Sequence, residues 1–390
     1  RVSINSGTMR SAGEYFRSWF GRFESVARPQ LDPWLYLPAA VLAVLGLLMV
    51  LNTTYFLGLE KTGDAFHFFK LQLCHIAAGL VVLALLSQLS LRGLRRLVVP
   101  LMVAALVMLL ALWIPGLGVM RGGARRWLRL GPLLAEPSEL AKFAMVFFLA
   151  DFLSRRQERM NGFASGPLPA FIAVGPLALV ILKQPDFGNT VMVVMLLFAM
   201  LFAAGARLKH LGAAGGGALA VLALQAVAKP YRMRRLSAFL DPWQTARGAG
   251  FQLIQSFIAL GAGGGWGVGL GAGRQKMFYL PQAHTDFVFA VVGEEFGLLG
   301  AVAVLVLFGT ILVRGMRVAH AEPDPFASLL AVGLTALLTL QALVNMAVVI
   351  GLVPTKGLPL PFLSYGGTAL VMAMAALGTL LALARRPAVR

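Results

Sequence analysis

Charged residues are scarce in this chain, and acidic residues are the scarcest of them. Of 390 residues 13% are charged, and 16 acidic side chains stand against 34 basic ones, which gives a formal net charge of +18. Soluble domains carry about 25% charged residues, so this composition excludes an ordinary soluble domain. With 58% hydrophobic residues and a mean hydropathy of +0.79, the chain is predicted to be a membrane protein.

Disulfides and recognisable metal sites are also lacking. Cys74 is the only cysteine, which excludes an internal disulfide. The histidines at 67, 75, 210 and 320 have no metal-ligand spacing, and no convincing Ser/His/Asp or Cys/His arrangement occurs. The glycine-rich segment 261–273 lacks the G-x-x-x-x-G-K-[ST] pattern of a phosphate-binding loop. We therefore expect it to form a flexible loop, a mobile outer lid close to Asp286.

Apolar stretches long enough to cross a bilayer recur from residue 34 to residue 384. Unbroken apolar runs predict spanning helices, because the strands of a barrel alternate apolar and polar residues. We expect an all-α, polytopic integral membrane protein with ten transmembrane helices and a large extracytoplasmic loop, 229–285, between helices 7 and 8. A cytoplasmic segment, 1–33, precedes the transmembrane domain, 34–384, and a cytoplasmic tail, 385–390, follows it. The predicted spans are 34–54, 68–88, 94–114, 137–153, 168–183, 187–204, 208–228, 286–313, 326–350 and 365–384.

Basic residues predict the orientation of these spans. With both termini in the cytoplasm, the inner loops carry arginines and few acids, as the positive-inside rule expects. The segment 121–129 breaks the pattern, since it is a short outer loop with four arginines. Binding of phosphate or pyrophosphate explains these arginines, and anionic lipid head groups explain them equally well.

Asp286 is the foremost candidate for a functional residue. It follows His284 and Thr285 and opens an apolar run, and a carboxylate at the mouth of a membrane helix is costly to place. Arg274 and Lys276 precede it, so we expect cationic anchors beside a carboxylate base. This combination suits base-catalysed transfer from a phosphate leaving group.

Two further acidic positions lie at predicted helix starts. Glu139 is three residues before Lys142 in the fourth span, and we expect a buried pair that lines a polar cavity. Asp186 lies in a tight outer turn after Gln184, and capping of the next helix is the favoured interpretation there.

Polar groups in the last third of the chain are expected to join its segments. Glu294 and Glu295 predict interhelical ion pairs, and Asn345 predicts an interhelical hydrogen bond. Three prolines in 354–367 preclude a continuous helix. Irregular backbone at this depth must line a cavity or be covered by protein, and Lys356 adds a cation to it.

Several segments, in order along the chain, resemble the SEDS family of bacterial shape, elongation, division and sporulation proteins. Within that family, 278–284 (FYLPQAH) and 354–357 (PTKG) are more similar to the division members than to the elongation members. The segments that carry the resemblance are 125–127 (RRW), 136–142 (EPSELAK), 184–188 (QPDFG), 280–287 (LPQAHTDF), 293–297 (GEEFG) and 354–367 (PTKGLPLPFLSYGG).

The resemblance implies ten helices and a peptidoglycan glycosyltransferase that polymerises lipid II at the outer face of the cytoplasmic membrane, at the division septum. Asp286 is then the catalytic carboxylate, which deprotonates the 4-hydroxyl of the acceptor sugar. That hydroxyl attacks the anomeric carbon of the donor and expels undecaprenyl pyrophosphate, giving a β-1,4 linkage with inversion. Glu139 would position Lys142. The other substrate-binding positions implied by the resemblance are Arg125, Trp127, Lys142, Gln184, His284, Thr285, Lys356 and Ser364.

The resemblance also implies partners. They are a class B penicillin-binding protein, a septal transpeptidase of the FtsI type, and other divisome membrane proteins of the FtsQ, FtsL and FtsB type. Besides the bilayer, lipid II and undecaprenyl pyrophosphate are the expected ligands, and no nucleic acid is expected. No cofactor is implied with certainty, and the sequence leaves open whether Mg²⁺ or Mn²⁺ assists the departure of pyrophosphate.

Three alternatives stay open: a lipid II flippase, an elongation-type polymerase, and a non-catalytic divisome scaffold. A transporter would place polar groups near the midplane of the membrane, whereas here they cluster at the outer ends of the spans.

The chain departs from the family pattern at Glu136, where glutamine is usual, and at Phe187 and Asn189, where leucine and threonine are usual.

Overall fold

A computed structural model describes residues 32–121, 124–131, 133–227, 230–277 and 279–385. Most of the predicted N-terminal segment (1–31), Lys229, Phe278 and most of the predicted tail (386–390) lie outside the described residues. The helices, in chain order, are α1 Pro33–Thr62, α2 His67–Ser87, α3 Leu91–Arg96, α4 Val98–Ala111, α5 Pro137–Ser154, α6 Pro167–Lys183, α7 Phe187–Ala203, α8 Leu208–Val227, α9 Pro230–Leu240, α10 Phe251–Gly263, α11 Val288–Ala321, α12 Pro325–Val349 and α13 Gly367–Ala384.

Each of the ten predicted spans overlaps a described helix, although the boundaries differ. The first helix runs eight residues beyond the predicted end at 54, to Thr62, and the third span is divided into α3 and α4. Within the described residues, six helical segments are long and apolar enough to cross a membrane: α1, α2, α3 with α4, α11, α12 and α13. The chain is therefore a mostly helical, multi-pass membrane protein.

The expectation of an all-helical chain misses a small sheet between α4 and α5. Strands β1 Gly118–Arg121, β2 Ala124–Leu130 and β3 Leu133–Ala135 form a three-stranded antiparallel sheet in the order β1-β2-β3. The four predicted outer-loop arginines thus lie on strands. The pairing of β1 with β2 is irregular between Val119 and Met120, which pair with Trp127 and Arg125, so Arg126 lies in a β-bulge.

The helices α12 and α13 lie at the centre of the packing. The most apolar stretches of α12 and α13 are 72% and 78% buried, whereas that of α2 is 11% buried, so α2 lies at the periphery. It packs on α13 through glycine: a Cβ at Gly79 of α2 would overlap the Met374 sulfur of α13, and one at Gly378 of α13 would lie 2.5 Å from the Leu83 carbonyl oxygen. Small residues allow this close approach between membrane helices.

The glycine-rich segment is not the free lid that composition predicts. Its first residues complete α10, which ends at Gly263, and α10 packs on α12 through the Ser256 hydroxyl, which donates to the Val349 carbonyl at 2.7 Å. The remaining residues, 264–273, bond through their backbone to α11. Glycine permits this close backbone contact because it has no side chain. From composition alone, the same glycines predict only flexibility.

Candidate active site

Asp286 lies in the loop just before α11, and the backbone around it is held by the segment between α12 and α13. The Asn345 amide donates to the Asp286 carbonyl and to the Leu358 carbonyl, each at 2.7 Å. The Ser364 hydroxyl donates to the Thr285 carbonyl at 2.5 Å. Asn345 is thus confirmed as a hydrogen-bond partner, but of two loop carbonyls rather than of a helix, because the proline-interrupted backbone leaves its carbonyls unpaired.

Of the two alternatives left open for 354–367, the lining of a cavity or a cover of protein, the burial of its side chains favours the cover. Leu358, Leu360, Phe362 and Leu363 of this segment are buried. Ser364, expected to bind substrate, is itself buried, and its hydroxyl also accepts from the Leu360 backbone at 2.7 Å. Its contacts therefore serve the backbone of the site.

The Asp286 carboxylate is partly exposed, and no hydrogen bond from the described part of the chain reaches its oxygens. Gly357 lies against it, so close that a Cβ there would be 2.7 Å from Oδ2. Burial raises the pKa of Asp286 to about 6, the charges of Arg126 and Arg235 act in the opposite direction, and Asp186 raises it further. A carboxylate with these properties can accept a proton near neutral pH.

Arg126, rather than Arg125, carries the positive charge that acts on Asp286. Arg126 donates to the Pro185 carbonyl at 2.8 Å, and its Nε lies 3.8 Å from the Asp186 carboxylate. The register of the sheet shifts at this point, since Val119 pairs with Trp127 and Met120 with Arg125, so Arg126 is the extra residue of a β-bulge in β2. The sequence pointed to Arg125, and the bulge that distinguishes Arg126 depends on a sheet that the sequence did not predict.

Asp186 and Glu136 meet at Asn189. Asp186 caps α7 by accepting from the Asn189 backbone at 3.3 Å, which confirms the predicted cap. The Asn189 side-chain amide also donates to Asp186 at 2.8 Å and to Glu136 at 3.0 Å. Burial, then the charges of Glu139 and Asp186, raise the pKa of Glu136, so the site disfavours the charged form of this extra acid. The unusual residues at 136 and 189 are therefore direct partners.

The expected buried pair of Glu139 and Lys142 is confirmed. Lys142 is fully buried, and its Nζ donates to Glu139 at 2.7 Å and to Gln341 of α12 at 2.8 Å. Three polar side chains from α5 and α12 thus satisfy one another in the helical core. The contact of Lys142 with pyrophosphate stays a prediction.

Lys356 and Gln184 lie on either side of the turn that leads into α7. The Lys356 Nζ lies 4.7 Å from the centre of the Phe187 ring, a cation–π contact. Burial lowers the pKa of Lys356 to about 8. Gln184 is buried and donates to the Leu109 carbonyl of α4 at 3.3 Å, so its side chain anchors the turn.

His284 belongs to a cluster of rings beside the Asp286 loop. Its ring centre lies 6.3 Å from that of Phe68 and 6.0 Å from that of Tyr365. Burial, together with the charge of Lys61, lowers the pKa of His284 to about 4, so the ring is neutral at pH 7. Thr285 is hydrogen-bonded to the Gln282 side chain at 2.9 Å.

The expectation that Lys276 anchors an anion beside Asp286 is wrong. Lys276, expected to be a cationic anchor near Asp286, is buried in a pair with Glu295 at 2.7 Å, because a buried ammonium needs acceptors. Glu295 thus forms an ion pair, but not the interhelical one expected, because its partner comes from the loop. The ion pair expected for Glu294 is not formed within the described residues, since its carboxylate accepts from the backbone of Arg274 at 2.7 Å. Arg235 instead supplies the positive charge expected near Asp286. It donates to the Thr355 carbonyl at 3.1 Å, and its charge lowers the pKa of Asp286.

Metal binding has little support in the described part of the chain. No group of three or more His, Cys, Asp or Glu side chains there could hold a metal ion. Arg126 and Arg235 supply positive charge to Asp286, and Lys356 lies nearby on the segment whose Gly357 contacts the Asp286 carboxylate.

Comparison with known proteins gives consistent matches over nearly the whole chain. A family model of cell cycle proteins that joins FtsW, RodA and SpoVE matches residues 33–388. The probable peptidoglycan glycosyltransferase FtsW of Geobacter sp. (strain M18) is 41% identical over 348 residues, 89% of this chain and 95% of that protein. Stage V sporulation protein E of Bacillus subtilis is 40% identical over 357 residues, 91% of this chain and 97% of that protein.

Solved structures agree. A chain from a peptidoglycan synthase complex, described as coordinating polymerization and crosslinking, superposes with a TM-score of 0.73 and 34% identity, covering 91% of this chain and 98% of its own length. The rod shape determining protein RodA of Thermus thermophilus has a TM-score of 0.65 and 28% identity, covering 91% of this chain and 97% of its own length.

Proposed function

The chain belongs to the FtsW/RodA/SpoVE family of cell cycle proteins, and on that premise we propose that it is a peptidoglycan glycosyltransferase of septal cell-wall synthesis. Its substrate is lipid II, which it polymerises into β-1,4-linked glycan strands. The observation that carries the site assignment is the Asp286 carboxylate, which accepts no hydrogen bond from described residues and whose pKa is raised to about 6 among cationic groups.

The membrane topology has ten spans with both termini in the cytoplasm. The overlap of every predicted span with a helix supports this number. The domain plan keeps the cytoplasmic segment 1–33, the transmembrane domain 34–384 and the tail 385–390, with 229–285 as the large extracytoplasmic loop. The Asp286 site then lies at the outer face of the cytoplasmic membrane, where lipid II presents its sugars.

The Asp286 carboxylate acts as the general base. It takes the proton of the acceptor 4-hydroxyl as that oxygen bonds to the anomeric carbon of the donor, and the bond from that carbon to undecaprenyl pyrophosphate breaks with inversion. The leaving group keeps the electron pair, and Arg126, Arg235 and Lys356 stabilise its charge. Arg125 and Lys142 stay candidates for the same role, and Trp127, His284 and Thr285 for contacts to the sugars.

The partners proposed are a class B penicillin-binding protein of the FtsI type and divisome proteins of the FtsQ, FtsL and FtsB type. The similarity to a chain from a peptidoglycan synthase complex supports a partner enzyme that crosslinks the strands. The 41% identity to a relative described as a probable peptidoglycan glycosyltransferase FtsW supports the division role.

The test is polymerisation of purified lipid II by this protein with its cognate transpeptidase, wild type beside Asp286→Asn. Asp64→Asn is a matched control, since Asp64 is an exposed carboxylate paired with Lys70. Long glycan from the wild type and the control, and none from Asp286→Asn, is the expected result. Equal product from Asp286→Asn would remove Asp286 as the base. No product from a folded wild type would favour the flippase or the scaffold.

A further inference from the structure

Helix α11 is interrupted at Gly297, and residues 264–273, which we call the glycine strap, fill the interruption. Gly297 has φ 66° and ψ −161°, so the helical hydrogen bonds are broken there. The backbone N–H groups of Val268 and Gly269 donate to the carbonyls of Glu294 and Glu295, each at 3.0 Å. On the other side of the break, the N–H groups of 298 and 299 donate to carbonyls of the strap at 2.9 and 3.3 Å.

At two positions the contact between strap and helix leaves no room for a side chain. A Cβ at Gly267 would lie 2.1 Å from the Glu295 carbonyl oxygen, and one at Gly297 would lie 2.4 Å from the Gly267 nitrogen. The strap therefore supplies the backbone partners that α11 loses at the kink. It is a fixed part of the fold that joins α10 to the loop carrying Asp286.

A closed ring of polar side chains follows the strap, and we call Lys276, Glu295 and Asn52 the ionic lock. The Lys276 Nζ donates to Glu295 at 2.7 Å, to Asn52 at 2.6 Å and to the Gly271 carbonyl at 2.6 Å. These three acceptors match the three protons of the ammonium group. The Asn52 amide donates back to Glu295 at 2.6 Å. The lock thereby ties α1, the kinked helix α11 and the strap to one point.

The Asp286 loop, 274–286, is fixed at both of its ends. At its start, Glu294 accepts from the backbone of Arg274 at 2.7 Å, and Lys276 is held by the lock. At its end, it is held by the Asn345 and Ser364 bonds described above and by Tyr365, whose N–H donates to the His284 carbonyl at 2.8 Å. Displacement of either end would move the Asp286 carboxylate.

We propose that the ionic lock positions the Asp286 loop for catalysis, with Lys276, Glu295 and Asn52 as positioning residues; this rests on the proposed function. Stability alone does not account for the lock. A buried ion pair is often no more stable than apolar residues of similar volume. The charges fix geometry instead, since the Lys276 ammonium group holds three separate elements in one arrangement. A misplacement of a catalytic group by about 1 Å can reduce the reaction rate about 100-fold.

The experiment compares Lys276→Met, Glu295→Met and the double variant Lys276→Met/Glu295→Met. Each single variant leaves one buried charge unpaired and is expected to melt lower than the wild type. The double variant removes both charges and is expected to recover the wild-type melting temperature. Its kcat for lipid II is expected to stay reduced by about tenfold or more, with a much smaller change in KM. Faster hydrogen exchange in 277–286 is expected in the same variant.

The matched control is Asp32→Asn/Arg314→Met, which removes an ion pair with a 2.6 Å separation between α11 and the start of α1. It is expected to leave kcat unchanged. Wild-type kcat in the double lock variant would overturn the proposal. If the double variant does not recover the wild-type melting temperature, Asn52→Leu provides the test, because it leaves the Lys276–Glu295 pair in place. This variant is expected to lower kcat, and an unchanged kcat would also overturn the proposal. Inactive wild-type protein would instead contradict the proposed function.

Discussion

The pH dependence of polymerisation follows from two groups of opposite charge. In the proposed mechanism Asp286 must be ionised to take a proton, and burial raises its pKa to about 6. In the same mechanism Lys356 must be protonated to meet pyrophosphate, and burial lowers its pKa to about 8. Activity is therefore expected to decrease below pH 6, where Asp286 gains a proton, and above pH 8, where Lys356 loses one. The profile should be bell-shaped with an optimum near pH 7.

The size of the effect follows from these two values. One unit below its pKa a carboxyl group is ionised in about one molecule in eleven, so kcat/KM at pH 5 should be about one-tenth of its value at pH 7. The same arithmetic for Lys356 gives about one-tenth at pH 9. Neither limb would have this position if both groups kept their ordinary pKa values of 3.8 and 10.5.

The assay is the initial rate of glycan formation from lipid II well below KM, between pH 5 and pH 9 at constant ionic strength. Arg235→Gln should move the acidic limb to higher pH, because the charge of Arg235 stabilises the Asp286 carboxylate. Lys356→Met should remove the alkaline limb. A rate that stays constant down to pH 5, or an acidic limb unmoved by Arg235→Gln, would refute the electrostatic argument.

Three further outcomes are expected. Asn345→Leu leaves the carbonyls of Asp286 and Leu358 without their donor, and each buried unpaired group costs about 1–3 kcal/mol; kcat should fall more than KM rises in steady-state kinetics. Gly267→Ala should lower the melting temperature through a Cβ 2.1 Å from a carbonyl oxygen, whereas Gly217→Ala, with open space around it, should not. Asp286→Asn should melt higher than wild type at pH 7, because the raised pKa means that the folded state disfavours the charged carboxylate. That difference should shrink as the pH falls below 6 and vanish below about pH 3, where the wild-type carboxyl is protonated in the folded and in the unfolded state.

Helical spans could be predicted from the sequence because each depends on its own apolar run. The buried pair of Glu139 and Lys142 was also predictable, since both groups lie on one helix at a spacing that brings them together. The cap formed by Asp186 is likewise local. These features need no knowledge of the distant chain.

The features that the sequence did not predict are contacts between distant segments. The partner of Lys276 is Glu295, and the third member of the lock, Asn52, comes from the first helix. The glycine strap was interpreted as flexible because glycine composition is the same in a mobile loop and in a close backbone contact. The choice of Arg126 over Arg125 depended on β2, which the expectation of an all-helical chain excluded.

The packing of α2 against α13 has a consequence for biosynthesis. Elements from the two ends of the described chain meet there, at Gly79 with Met374 and at Gly378 with Leu83. Until α13 has been synthesised, α2 therefore lies in the membrane without the helix against which it packs. Tyr365, which precedes α13, completes the hydrogen bonds of the Asp286 loop, so a nascent chain cannot assemble the site until synthesis has passed this residue. The proposed activity therefore requires that the late helices have been synthesised and inserted.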